Sequence, residues 1–301
     1  MSQPWEAEIE VTAALALALV RERFPELGAR VAEPFGSGWD NTAFLVDGTL
    51  VFRFPRKEST VELLERESRV LPALAPRLPL PVPVPEWVGR GTEAYPWTFA
   101  GYRRLAGRPA CGAALSDADR AAAAPVLGRF LAALHATPPE GLDLPGDVIR
   151  RTDFAYRMPA LIDRLYELQD RGVVGDPGPW LRLFEDEDLP GPPPAPAVVH
   201  GDLYVRHLLV DDENRLAGVI DWGDVHLGDP AVDLSVLYGF FSPAARDDLL
   251  REYGEIDERT RRTARLRAAF HAAALAWFAH SVRDRALLDA AKTALGYVLE
   301  A

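Results

Sequence analysis

The stretch VVHGDLYVRHLLVDDENRLAGVIDWGD, residues 198 to 224, constrains the fold of this chain more than any other segment. Two short apolar runs, HLLV and LAGVID, flank the polar turn DDENR, which is the pattern of a β-hairpin. If Val210 faces Leu216, partner numbers sum to about 426, so Asp221 lies within about two residues of His207, on the side toward Asp202. Exposed hairpins alternate polar and apolar side chains. Here the polar groups collect at one end with Val, Ile and Leu between them, and the spacing predicts that Asp202, His207 and Asp221 converge where two strands end.

Such a convergence suits a particular chemistry. A carboxylate on a loop just before a strand can accept a hydroxyl proton, while a second carboxylate with one further ligand can fix a divalent ion on a phosphate chain. The N-terminal part offers a counterpart. In EPFGSGWDNTAFLV, Gly36 and Gly38 with Ser37 between them fall at a turn between two strands, where missing β-carbons let backbone N–H groups approach phosphates. A plain hairpin turn accounts equally for that G-x-G. In LVFRFPR, Arg53 stands alone in an apolar strand, and a buried lone charge requires a partner; Glu67 on the following helix is the candidate. No G-x-x-x-x-G-K-[ST] occurs, which argues against a P-loop kinase.

Periodicity organises the rest as an α+β chain. A helix is expected over residues 6 to 27, then the strand runs VAEPF, TAFLVDG and LVFRFPR, with Asp47-Gly48 as a hairpin turn. ESTVELLERESRVL, residues 58 to 71, returns to helical spacing, and a strand pair at roughly 84 to 90 and 96 to 105 follows. The chain then turns helical: RAAAAPVLGRFLAALHATPP predicts a long helix with Pro125 near its first turn. Helices are expected over 150 to 190, a proline linker at 190 to 197, and helices again from about 243. The expected division is residues 1–102 as a nucleotide-binding sheet lobe and 103–301 as a helical lobe with the catalytic loop and acceptor region.

Composition narrows the function classes. With 45 acidic against 33 basic side chains the formal net charge is -12, which argues against nucleic acid as a partner and would attract a cationic small molecule, with ordinary solubility as the equal alternative. The only cysteine, Cys111, makes no internal disulfide, and the apolar run VTAALALALV is too short to span a bilayer. A cytoplasmic monomer without a membrane partner is the expectation. The acidic run EDEDL, residues 185 to 189, reads as solvated surface, and His271 and His280 as packing or surface residues. Trp277, Tyr238, Phe240 and Phe241 read as core, with an acceptor wall as the alternative.

HGDLYVRH followed by VIDWGD resembles the catalytic and metal-binding motifs of the aminoglycoside phosphotransferase family, which includes macrolide kinases. GSGWDNTAFLV, VFRFPR, ALHATPPEGL and GDPAVDLSVL extend the resemblance along nearly the whole chain. It implies a two-lobed protein-kinase-like fold, an N-terminal antiparallel β-sheet lobe and a larger, mainly helical C-terminal lobe. It also implies transfer of the γ-phosphate of ATP or GTP, with Mg2+ or Mn2+, to a hydroxyl of a small antibiotic, an aminoglycoside first and a macrolide or metabolite alternatively. By the resemblance Asp202 orients and deprotonates the hydroxyl, and Asp221 and His207 face the metal. Gly36, Ser37 and Gly38 cover the phosphates, Arg53 held by Glu67 grips them, His200 shapes the loop and Asp233 braces it. Asp229 reads as a structural cap. His207 stands where the family usually has asparagine, and Arg53 where it has lysine. Two readings of other classes remain: His200, Asp202, His207 and Asp221 as four ligands of a zinc or iron hydrolase, and a kinase-like fold that only binds.

Overall fold

The computed structural model describes residues 7–185, 190–193 and 195–300. Residues 186–189 of the acidic run and residue 194 of the proline linker lie outside the described residues. The chain forms two compact units: residues up to Pro76 with Pro81–Leu105, and Arg77–Leu80 with the remainder from Ala106 on.

The first unit is built on an antiparallel sheet. Helix α1 (Ala13–Arg23) precedes β1 (Ala32–Ser37), β2 (Asn41–Val46) and β3 (Leu50–Pro55); α2 (Val61–Leu74), β4 (Trp87–Gly89) and β5 (Phe99–Arg103) follow. The strand order is β1-β2-β3-β5-β4. Asp47 and Gly48 both have positive φ in the turn that joins Val46 of β2 to its partner Leu50 of β3, where Thr49 N–H donates to Val46 carbonyl at 3.2 Å. Helix α1 is shorter than the periodicity of residues 6 to 27 predicts. Thr12 caps it by accepting from Leu15 N–H at 3.2 Å, while upstream Glu8 N–H is committed to Arg56 carbonyl. The core is aromatic: Phe44, Phe52, Phe54, Tyr95 and Phe99 are almost completely buried beneath Ala16, Leu19 and Val20 of α1. Phe54 stacks on Phe99 at 4.9 Å, and Tyr95 hydroxyl donates to Pro55 carbonyl at 2.9 Å. Gly101 opposite Phe52 is dictated by this packing, since a β-carbon there would come within 2.4 Å of the Phe52 ring.

The second unit starts with β6 (Arg108–Pro109) and α3 (Asp117–His135). The sequence reading placed Pro125 near the first turn of this helix; it lies well inside. The start is set upstream by a capping box, in which Ser116 hydroxyl accepts from Asp119 N–H and Asp119 carboxylate accepts from Ser116 N–H. Then come α4 (Phe154–Asp170), α5 (Gly178–Leu181), β7 (Ala197–Val199), β8 (Leu208–Val210), β9 (Leu216–Val219) and β10 (His226–Gly228). Two short helices, α6 (Ala231–Leu234) and α7 (Val236–Gly239), lead into α8 (Pro243–Tyr253), α9 (Glu258–Val282) and α10 (Arg285–Leu299). Strands β7 and β10 pair antiparallel, and β8 pairs β9 and β6. The register is Leu208↔Val219 and Leu209↔Gly218, shifting to Val210↔Leu216 at a bulge. Phe240 and Phe241 are fully buried, so the core reading holds for both. No helix among the described residues is long and apolar enough to cross a membrane.

The aromatic core of the first unit should carry much of that unit's stability. Phe54→Ala is expected to cost about 3–5 kcal/mol, read from urea unfolding; a loss below about 1 kcal/mol would contradict this packing.

Candidate active site

The site in the second unit is a loop between two strand pairs. Chain leaving β7 enters His200-Gly201-Asp202, and its backbone is fastened by one buried carboxylate. Asp233, on α6 and completely buried, accepts from His200 N–H at 2.7 Å and from Gly201 N–H at 2.9 Å. His135, on the last turn of α3, reaches the same carboxylate through Nε2 at 3.2 Å while Nδ1 meets Tyr253 hydroxyl at 2.8 Å. Burial alone would raise the Asp233 pKa, but the His135 hydrogen bond and charge and the Gly201 N–H outweigh it and hold it below the ordinary range. Gly201 has φ +87, and a β-carbon there would lie 2.4 Å from Asp224 carbonyl, so only glycine fits.

The hairpin brings the three predicted polar groups together. His207 carbonyl accepts from Ile220 N–H at 2.9 Å, one step before Asp221. His207 Nδ1–H donates to the Asp202 carbonyl at 2.7 Å, which turns Nε2 toward Asp221 Oδ2 at 3.2 Å. Asp202 Oδ2 lies 3.7 Å from His207 Nδ1. Asp221 has φ +67, a left-handed conformation that aspartate tolerates better than most residues and that aims its half-exposed carboxylate at His207. Burial lowers the His207 pKa, but the Asp221 and Asp202 carboxylates outweigh it and leave it raised. Asp202 is pushed above the aspartate range by burial, against the pull of His207 and Arg267.

His200 is placed differently from the four-ligand metal reading. Its Nε2–H donates to Ile220 carbonyl at 3.0 Å and its Nδ1 accepts from Asp202 N–H at 3.3 Å, so both ring nitrogens hold backbone. Burial lowers its pKa and keeps it neutral. Among the described residues no group of three or more His, Cys, Asp or Glu is disposed to share one ion. The Asp221 carboxylate is an oxygen ligand of the kind a hard divalent cation takes, whereas the His207 imidazole nitrogen facing it is softer than magnesium prefers.

Sequence reasoning missed several neighbours. His271, read as packing or surface, puts Nε2 3.4 Å from Asp202 Oδ1, and Tyr204 stands edge-on to both His207 and His271. Arg151 Nε donates to Gly201 carbonyl at 2.9 Å while its other nitrogens hold Asp147 and Asp224. His271 and Arg151 sit in alanine-rich or irregular segments without a motif, so only the folded chain reveals them, whereas Tyr204 lies within HGDLYVRH itself. Asp229, read as a cap, accepts from Ala231 N–H at 3.0 Å and also pairs with Arg259.

In the first unit, Arg53 and Glu67 form the buried pair that the lone strand charge required. Arg53 Nη1 donates to both Glu67 oxygens, at 2.8 and 2.6 Å. The glycine segment differs from the expectation of a simple turn. Gly36 and Ser37 belong to β1, with an irregularity in register between Pro34 and Gly36, and Gly38 N–H is committed to Asn41 carbonyl at 2.9 Å. A β-carbon on Gly36 would meet nothing within 4 Å, so packing does not demand glycine there and the face stays open. Arg56 fastens the turn by donating to Ser37 hydroxyl and Gly38 carbonyl, at 2.9 and 2.6 Å.

The Asp233 clamp gives a pH signature. Its folded pKa lies below the unfolded value of about 3.9, so its contribution is present above that pH and is lost as pH falls through the folded value. Asp233→Asn should lose about 1–3 kcal/mol at pH 7, and its deficit against the unaltered chain should shrink below about pH 4. A deficit independent of pH in urea unfolding would contradict the ionised clamp.

Comparison with known proteins agrees with this geometry. A solved GDP and kanamycin complex of APH(2")-IIia superposes with a TM-score of 0.70 at 23% identity, covering 93% of this chain and 97% of that one. Macrolide 2'-phosphotransferase type I gives 0.60 at 27% identity, with 95% and 98% covered. YcbJ of Bacillus subtilis (strain 168), itself uncharacterised, is 28% identical over 223 residues, 69% of each chain. The fold is thus the kinase-like fold of these enzymes, an antiparallel-sheet N-terminal unit and a helical C-terminal unit. The family model for the phosphotransferase enzyme family, APH, matches residues 31–287 and so spans the open glycine face, the buried ion pair, the clamped loop and the hairpin: the chain belongs to that family.

Proposed function

We propose that this protein transfers the γ-phosphate of ATP or GTP to a hydroxyl of a small molecule. The observation that carries the reading is the convergence of Asp202, His207 and Asp221 at one end of the β8–β9 hairpin. Antibiotics of the kinds that the structural neighbours' names record, aminoglycosides first and macrolides second, are the acceptors to try first.

The residues divide the work as follows. Asp202 accepts the hydroxyl proton, and its raised pKa makes it a stronger base than an exposed aspartate. His271 is kept neutral by burial and by the Arg267 and His207 charges, and its Nε2 beside Asp202 Oδ1 orients the carboxylate. Asp221 and His207 would hold magnesium or manganese, which when bound draws charge from the phosphate oxygens. Fixing its Nδ1 proton on the Asp202 carbonyl leaves His207 Nε2 as the face for that role. In the first unit Arg53, aligned by Glu67, offers a cation to phosphate, and Gly36 and Ser37 leave an open backbone face for it. The oxygen–phosphorus bond to the acceptor forms as the bond from the γ-phosphorus to its bridging oxygen breaks, and the proton goes to Asp202.

Asp202→Asn retains the shape and removes the base. It is expected to lower acceptor-dependent nucleotide turnover at least ~10²-fold with the melting temperature unchanged. Turnover equal to that of the unaltered chain would remove Asp202 from the reaction.

A further inference from the structure

In a chain of formal net charge -12, the place where α4 packs on α9 beside Asp202 is crowded with cations. Arg157 and Arg164 lie two turns apart on one stripe of α4, and their guanidinium carbons stand 5.3 and 5.2 Å from the Phe270 ring centre on α9. Arg267 is buried one turn before His271, and its charge is felt at Asp202. Arg151 completes the row, and it alone is matched by carboxylates, those of Asp147 and Asp224.

The other three lack such partners. Arg267 Nε and Arg164 Nη1 are buried with no hydrogen-bond partner among the described residues. Arg157 donates to the neutral carbonyls of Ile149 and Arg150. Burial first, and then repulsion from neighbouring guanidinium groups, holds the pKa values of Arg157, Arg164 and Arg267 down against the carboxylates of Asp147 and Asp202, and each remains charged. Burying unmatched cations is costly for a fold, and structures retain such an arrangement where an anion completes it. The planar forks of arginine match the two or three oxygens of a carboxylate or phosphate.

We infer that the acceptor alcohol carries an oxyanion, a carboxylate or a phosphate, held by Arg157, Arg164 and Arg267 while its hydroxyl meets Asp202. This rests on the phosphotransferase reading, and it departs from the cationic acceptor that the net charge predicts. A polycation placed here would meet three unmatched guanidinium groups, whereas a hydroxy acid or a phosphorylated alcohol would neutralise them.

Two measurements on the full chain test the inference. Calorimetric titration with inorganic phosphate and with lactate should show saturable binding of at least one, weakened at least 10-fold in Arg164→Gln and partly restored in Arg164→Lys, with melting temperatures matched. Binding of phosphate alone points to a phosphorylated alcohol, and binding of lactate alone to a hydroxy acid. No saturable binding, or binding indifferent to Arg164, overturns the inference. Turnover is then compared between hydroxy acids, sugar phosphates, kanamycin and erythromycin. An anionic acceptor whose KM rises at least 10-fold in Arg164→Gln while kcat holds supports it. Turnover of kanamycin or erythromycin untouched by Arg164→Gln overturns it and leaves the phosphotransferase reading standing. Anion binding together with turnover unaffected by Asp202→Asn has the opposite meaning: the anion site stands, and the phosphotransferase reading falls.

Discussion

The buried Asp233 carboxylate is the interaction on which the His200–Gly201–Asp202 loop depends. Two successive backbone N–H groups, those of His200 and Gly201, close on its two oxygens, and His135 from α3 supplies the matching donor. Removing a carboxylate from water is expensive unless its lone pairs are filled, and here two of the contacts that fill them, from His200 and Gly201 N–H, also fix the backbone just ahead of Asp202. Gly201 then turns the chain through a conformation in which a side chain would strike Asp224 carbonyl. The backbone of Asp202 is therefore set by contacts outside its side chain, and its carboxylate is left to face His271 at 3.4 Å and His207 at 3.7 Å.

The hairpin performs the complementary task. Apolar pairing of β8 with β9 fixes the register, and the register alone carries Asp221 to His207. His207 links the two halves of the site, donating from Nδ1 to the loop and facing the Asp221 carboxylate with Nε2. Loop, imidazole and second carboxylate form one rigid arrangement built from three different segments of the chain.

The convergence was legible in the sequence because it follows from strand pairing, whose period and register are written in VVHGDLYVRHLLV and LAGVIDWGD. The Arg53–Glu67 pair was legible for a related reason: a charge amid buried strand residues requires an opposite charge nearby. Helix limits were less so, since Thr12 and the Ser116–Asp119 capping box act through local hydrogen bonds that outweigh apolar periodicity. His271, Arg267 and Arg164 were not legible as site residues. They lie on long helices where histidine and arginine ordinarily face water, and only the fold brings His271 and Arg267 to Asp202 and sets Arg164 against Phe270. Net charge describes the surface as a whole, whereas the charges desolvated near Asp202 include Arg267, whose Nε has no hydrogen-bond partner among the described residues.

The measurement that bears most directly on the central claim is phosphorus magnetic resonance of the full chain with magnesium, ATP or GTP and a mixed set of acceptor alcohols. The account predicts a new phosphate-ester resonance that grows as the γ-phosphate signal declines, and its loss when Asp202 is replaced by asparagine. Decline of the γ-phosphate into inorganic phosphate alone, whichever acceptor is present, would contradict transfer to a hydroxyl and identify a hydrolase.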